Sequence, residues 1–176
     1  MDFLGNLYTC VSDYLWNGSK TYPQVVGLKE CGVKPFNYIR WDKESAEARY
    51  SKKQEIQPAD MPEVVLEMTR IRIKTADSCN IQSEVNFNLS VASGNWKITN
   101  ATKLYNQIMT LLAVAMHTNE VCHWDIGKPY AIVRHVLIGD GSIGRDKEIR
   151  KNQSGFTFEV GFSVQIHFTI HQGEST

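Results

Sequence analysis

The sequence has no apolar run near the ~18 residues that a bilayer-spanning helix needs. Its first lysine is Lys20, so the N-terminus lacks the basic flank of a signal peptide. Neither membrane insertion nor secretion is expected. Charge of one sign is also missing: 19 basic and 19 acidic side chains cancel. That argues against a domain whose main task is gripping nucleic acid, an affinity that rests mostly on neutralised phosphates. The four cysteines, Cys10, Cys31, Cys79 and Cys122, form no CxxC element of a structural zinc site. They are expected as reduced, mostly buried thiols of an intracellular protein. Glycosylation-type triplets begin at Asn17, Asn88, Asn100 and Asn152, but without a secretory signal they read as chance matches. There is no GxSxG nucleophile elbow and no repeat of solenoid length.

What is present suits one folded domain spanning 1–176. The chain has 176 residues, 42% of them hydrophobic and 22% charged, enough to bury about two-thirds of its unfolded surface. Over residues 2–16, Phe3, Leu4, Leu7, Tyr8, Val11, Tyr14 and Leu15 recur at spacings of three and four, the period of an amphipathic helix. Asp2 favours its positive end, and Asn17 and Gly18 supply a left-handed exit. Residues 19–60 are irregular, with a charged, solvated excursion over 42–57. Val64, Leu66 and Met68 then alternate as a strand before the phase shifts to Ile71 and Ile73, which predicts a bulge at Thr69 and Arg70. Val85, Phe87, Leu89 and Val91 alternate cleanly with Glu84, Asn86, Asn88 and Ser90, giving one buried and one wet face. A core helix follows, capped by Thr99 or Asn100 and carrying Leu104, Ile108, Leu111, Leu112 and Ala115. A strand over 131–138, a polar glycine-rich loop over 139–155 and a last strand to residue 170 complete the chain. This order predicts an α+β domain: a mainly antiparallel, twisted sheet with two helices packed on one face and a long C-terminal strand.

The candidate chemistry is thin. Gly139, Gly141 and Gly144 satisfy the dinucleotide pattern GxGxxG after a strand, but no amphipathic helix follows to hold a pyrophosphate. His117, His123, His135, His167 and His171 have no metal-ligand spacing; His167 and His171 share a strand face but lie about 13 Å apart along it. No catalytic residue, metal or cofactor is expected, and the chain is not expected to be an enzyme. The basic side chains Arg145, Lys147, Arg150 and Lys151 in the glycine-rich loop are the candidate interface residues. The last strand is the strongest feature. Every even position from Phe156 to Ile170 is apolar, and fifteen extended residues would span about 50 Å, against about 40 Å for a compact chain of this length. It must bend, at Gly161 for example, or pass beyond its own subunit.

The acidic and proline-led strand opening at Asp60, Pro62 and Glu63, the alternating strand from Glu84 to Val91, the helix after a polar loop and the two final strands resemble one family. They are similar to the tail terminator, or tail completion, proteins of tailed bacteriophages, the lambda-type minor tail proteins that cap the tail tube. The likeness covers residues 1–18 and 60–170 in element order. Either 62–68 or 21–28, led by Pro23, is the first sheet strand. The resemblance implies a structural virion protein, made in the host cytoplasm and located in the phage tail or neck. It implies a homohexameric ring at the head-proximal end of the tail that stops tube polymerisation. Its partners would be its own copies, the tail tube protein and a head-side connector or neck protein, with DNA passing through the lumen without specific binding. Two alternatives stand beside it. One is another head–tail joining ring; the other is a cone-shaped α+β small-molecule enzyme or binding domain resembling nuclear transport factor 2. The latter needs an inward acid–base group, whereas Glu84, Glu159 and His167 fall on the polar face.

Overall fold

The computed structural model describes residues 2–33, 63–75, 80–93, 98–150 and 153–169. Helix α1 spans Phe3–Asn17, strands β1 and β2 span Glu63–Thr75 and Asn80–Ser93, helix α2 spans Ile98–His117, and strands β3 and β4 span Ala131–Arg150 and Gln153–Thr169. Short 3₁₀ turns occur at Leu28–Cys31 and Asn119–His123. The four strands form one sheet in the order β1-β2-β4-β3, with every neighbouring pair antiparallel. The fold is the α+β arrangement that the sequence pattern predicts. The sheet opens with β1, and 21–28 contributes only an isolated bridge between Gly18 and Val26. The 42–57 excursion lies outside the described residues.

The helix boundaries follow from capping. Asp2 accepts a hydrogen bond from the Gly5 amide at 2.9 Å, satisfying one of the free N–H groups that open α1. At the other end Gly18 has φ 93°, a conformation that disfavours a side chain, and its amide donates to the Tyr14 carbonyl at 2.8 Å. A Cβ there would also meet the Val25 carbonyl oxygen at 2.5 Å. The second helix begins at Ile98, earlier than a cap at Thr99 or Asn100 would place it.

Register explains why one sheet face is apolar. Strands β2 and β4 pair without interruption from Asn80 opposite Thr169 to Ser93 opposite Phe156. Because alternate side chains leave opposite faces, Val85, Phe87, Leu89 and Val91 meet Val164, Phe162, Val160 and Phe158 on one side, all of them buried. Phe87 and Phe162 stack with ring centroids 5.2 Å apart and an interplanar angle of 9°. Both helices cover this face. Tyr105 of α2 meets Phe158 edge-on at 5.6 Å, and Phe3 of α1 meets Phe168 at 5.3 Å. The Tyr8 hydroxyl donates to the Leu66 carbonyl at 3.1 Å, and the Tyr14 hydroxyl to the Leu111 carbonyl. Burial, with Glu67 nearby, pushes the Tyr8 hydroxyl up to about 12, so it remains a donor at neutral pH.

The irregularities sit on the two edge strands. The expected bulge in β1 is present: the register steps from Met68 opposite Phe87 to Arg70 opposite Asn86, leaving Thr69 extra. In β3, Arg134 is extra opposite Gln165, and Gly139 with Asp140 faces Gly161. The expected loop over 139–155 is therefore a correction. Those residues largely continue β3 and open β4, with Gly141 opposite Val160, Gly144 opposite Thr157 and Asp146 opposite Gly155. The glycines serve close approach more than flexibility. A Cβ on Gly139 would lie 3.1 Å from the Gly161 carbonyl oxygen, and one on Gly141 would lie 3.2 Å from the Tyr105 hydroxyl. Strand β4 keeps its register through Gly161, so the local irregularity opposite that glycine belongs to β3.

The stacked phenylalanine pair at the centre of the sheet generates a stability prediction. Phe87→Ala should lower the unfolding free energy by about 3–5 kcal/mol, read as a drop in urea midpoint with an unchanged slope. A loss below about 1 kcal/mol would mean that the ring is not packed in the core.

Candidate interaction surfaces

Three of the sequence-derived interface residues, Arg145, Lys147 and Arg150, lie at the far end of the β3–β4 hairpin. Arg145 stands opposite Phe156 in the register, Lys147 falls where the register shifts between Asp146 and Arg150, and Arg150 is opposite Gln153. Lys151 lies outside the described residues. The hairpin is long: seventeen residues of β4 would reach about 55 Å, whereas the twenty residues of α2 reach about 30 Å. The helices can therefore cover only part of the sheet's length. The GxGxxG residues lie within β3, where a strand continues in place of the helix that a pyrophosphate site requires.

The histidines separate into two settings. His117 ends α2 and His123 ends the following 3₁₀ turn. His135 and His167 instead share the polar sheet face, while His171 lies outside the described residues. His167 Nε2 is 3.0 Å from Asn80 Oδ1. Among the described residues no group of three or more His, Cys, Asp or Glu side chains converges in a way that could hold a metal ion. Cys10 and Cys31 are free and half-buried, and burial pushes both thiols up. Cys122 is exposed, which corrects the expectation of a buried thiol there, because its 3₁₀ turn buries Glu120 and Val121 and leaves Cys122 and His123 on the outer side. Cys79 falls outside the described residues. Among the described residues no helix is long and apolar enough to cross a membrane.

A second apolar surface departs from ordinary packing. Register places Ile71 opposite Val85 and Ile73 opposite Ser83, hence on the helix-covered face. Yet Ile71 is 42% exposed and Ile73 is 72% exposed, whereas Val85 is fully buried. These isoleucines sit on β1, which has no partner strand on its outer side among the described residues. The sequence showed the apolar alternation but not that it runs beyond the cover of the helices.

One buried carboxylate was missed by sequence reasoning. Glu120, only 1% exposed, accepts hydrogen bonds from Ser19 Oγ at 2.6 Å and from the Lys20 and Thr21 amides, each at 3.0 Å. It ties the segment after α1 to the turn after α2, across about a hundred residues of sequence. Burial alone would raise its pKa, but the hydrogen bonds outweigh that and hold the carboxyl below the usual carboxylate range. With donors from Ser19, Lys20 and Thr21, the carboxylate acts as a structural clip.

No protein-family model matches the chain, and no curated protein matches it at a significant level.

The Glu120 clip makes stability depend on pH with a definite sign. A carboxyl whose folded pKa lies below its unfolded one contributes stability that is present above the unfolded value and is lost as pH falls through the folded value. The wild-type unfolding free energy should therefore fall below about pH 4.5. In Glu120→Gln this part of the slope should vanish, with a loss of about 2–3 kcal/mol at pH 7. Denaturant titrations from pH 3 to pH 7 measure both; an unchanged acid limb in the variant would show that Glu120 carries no such contribution.

Proposed function

We propose that this chain is a structural ring protein of a bacteriophage tail, capping the tail tube at its head-proximal end and joining it to the neck. The resemblance in element order supports the class, and the geometry of the sheet edges supports ring closure. Alternating strand directions across four strands make the two edges, β1 and β3, run opposite ways. Copies repeated head-to-tail about an axis roughly along the strands would bring β3 of one copy beside β1 of the next in antiparallel sense. Such a heterologous contact closes into a ring when the rotation per copy divides a full turn, and six copies is the number the resemblance implies.

The observation that carries this reading is the bare apolar end of β1. Ile71 and Ile73 are exposed on the edge strand β1 with Arg70, Arg72 and Lys74 between and beside them, and a neighbouring copy would cover the isoleucines. The bulges at Thr69, Arg134 and Gly139 interrupt the outer backbone of both edges. They restrict strand pairing to short stretches and favour one register over open-ended sheet growth. The end of the β3–β4 hairpin, with Arg145, Lys147 and Arg150, would meet the neighbouring copy or the tail tube. On this reading the partners are the chain's own copies, the tail tube protein and a head-side connector, and the location is the virion.

Native mass measurement of the purified protein, alone and mixed with tail tubes, tests the proposal. A closed ring on the tube ends is the expected result. Ile73→Asp should leave the monomer folded, because the side chain is already mostly exposed, and should weaken ring formation at least about tenfold. A stable dimer with and without tubes, or ring formation unaffected by Ile73→Asp, would count against the reading.

A further inference from the structure

We propose that the polar face of the sheet carries a binding groove for a phosphate group, flanked by Lys74 of β1 and Arg134 of β3 across β2 and β4. The groove lies on the sheet face opposite to Ile71 and Ile73, shares Lys74 with the edge described above, and is formed by one copy of the chain. The groove encloses about 400 Å³ and is lined among others by Lys74, Glu84, Arg134, His135, Gln165 and His167. Register explains the convergence. One cross-sheet row runs Arg72, Glu84, Gln165, His135, and the next runs Lys74, Gln82, His167, Ile132. The extra residue of the β3 bulge sets Arg134 beside His135 opposite the single residue Gln165, so this edge presents two nitrogen-bearing side chains where a regular strand presents one.

The charges favour an anion. Two cations, Lys74 and Arg134, line the groove with one carboxylate, Glu84, which lies 3.2 Å from Lys74 Nζ. That pair holds the lysine over the groove and leaves the Arg134 guanidinium as the charge in excess. The next carboxylate along β4, Glu159, is six residues from Gln165, or about 20 Å. That separation exceeds the Debye length of about 8 Å at physiological ionic strength, so Glu159 offsets little of the local positive charge. Besides Ser83 and Ile166, the rest of the lining is the Gln82 and Gln165 amides and the His135 and His167 imidazoles, which supply hydrogen-bonding groups without further negative charge. His167 is fixed there by its contact with Asn80. A guanidinium fork, an ammonium group and neighbouring amides match the several acceptor oxygens of a phosphate better than a single carboxylate, which the Arg134 fork alone would saturate. The phosphate could come from a free anion or from a nucleic-acid backbone.

Isothermal titration calorimetry of the full chain with inorganic phosphate, and separately with a single-stranded oligodeoxynucleotide of about ten residues, decides the matter. Saturable phosphate binding is expected. Arg134→Gln should weaken it roughly tenfold or more, while Lys103→Gln, an exposed change on α2, should leave it unaltered. If the oligodeoxynucleotide competes with phosphate and its affinity falls steeply with salt, the phosphate belongs to a nucleic-acid backbone. If phosphate binds without such competition, the groove takes a free anion. An absence of saturable phosphate binding by the wild type, or equal weakening by the two substitutions, would overturn the proposal.

Discussion

The unbroken ladder between β2 and β4 is the constraint on which the rest of the structure depends. Its pairing, from Asn80 opposite Thr169 to Ser93 opposite Phe156, aligns two alternating sequences so that their apolar positions fall on one face. A slip of one residue would turn Phe158, Val160, Phe162 and Val164 to the opposite face and set polar side chains against the helices. The stacked pair Phe87 and Phe162 resists that slip because it forms only when those two residues are directly opposed. With the central register set, the edge strands can vary. All the register shifts in the sheet occur in β1 or β3.

Helix placement then rests on a small set of polar contacts within an otherwise apolar cover. Tyr8 and Tyr14 place their rings in the core and use their hydroxyls to reach the Leu66 and Leu111 carbonyls, linking α1 to β1 and to α2. Glu120 does the same work at the ends of the helices. Its carboxylate satisfies amides of residues 20 and 21 that follow the Gly18 turn, so the chain leaving α1 is held against the chain leaving α2. Such a contact is directional where hydrophobic packing is not. It sets where the helices end relative to each other, whereas their apolar stripes set only which face they present.

The elements with strong periodicity were legible in the sequence, and the relations between elements were not. Phe3 through Leu15 read as a helix, Val85 through Val91 as a half-buried strand, and the phase change between Met68 and Ile71 as a bulge, each from local spacing and each present in the structure. The residues 139–155 read as a loop because glycines and alternating charges are ordinary loop signals. Their strand pairing depends on Gly161 and Tyr105 lying against Gly139 and Gly141, a tertiary fact that local composition does not carry. Glu120 was invisible for the same reason, since its donors lie about a hundred residues away. The polar groove was half legible. Alternation put Glu84 and His167 on the wet face, but the convergence of Lys74 and Arg134 required the strand order β1-β2-β4-β3, which no single strand encodes.

The bulges connect edge behaviour to surface chemistry. Each extra residue breaks the regular outer backbone of an edge strand, which discourages indefinite addition of further strands. Each also adds a side chain or a glycine to the polar face, because the core-facing positions on either side, such as Met68 and Val133, hold their places opposite Phe87 and Ile166. The core face thus keeps its period while the polar face gains residues. Arg134 occupies such a gained position, and so does Thr69, whose hydroxyl donates to the Asn86 carbonyl at 3.3 Å. The same irregularity that limits how copies of the sheet can join therefore also supplies the positive charge at the groove, without disturbing a packed residue beneath it.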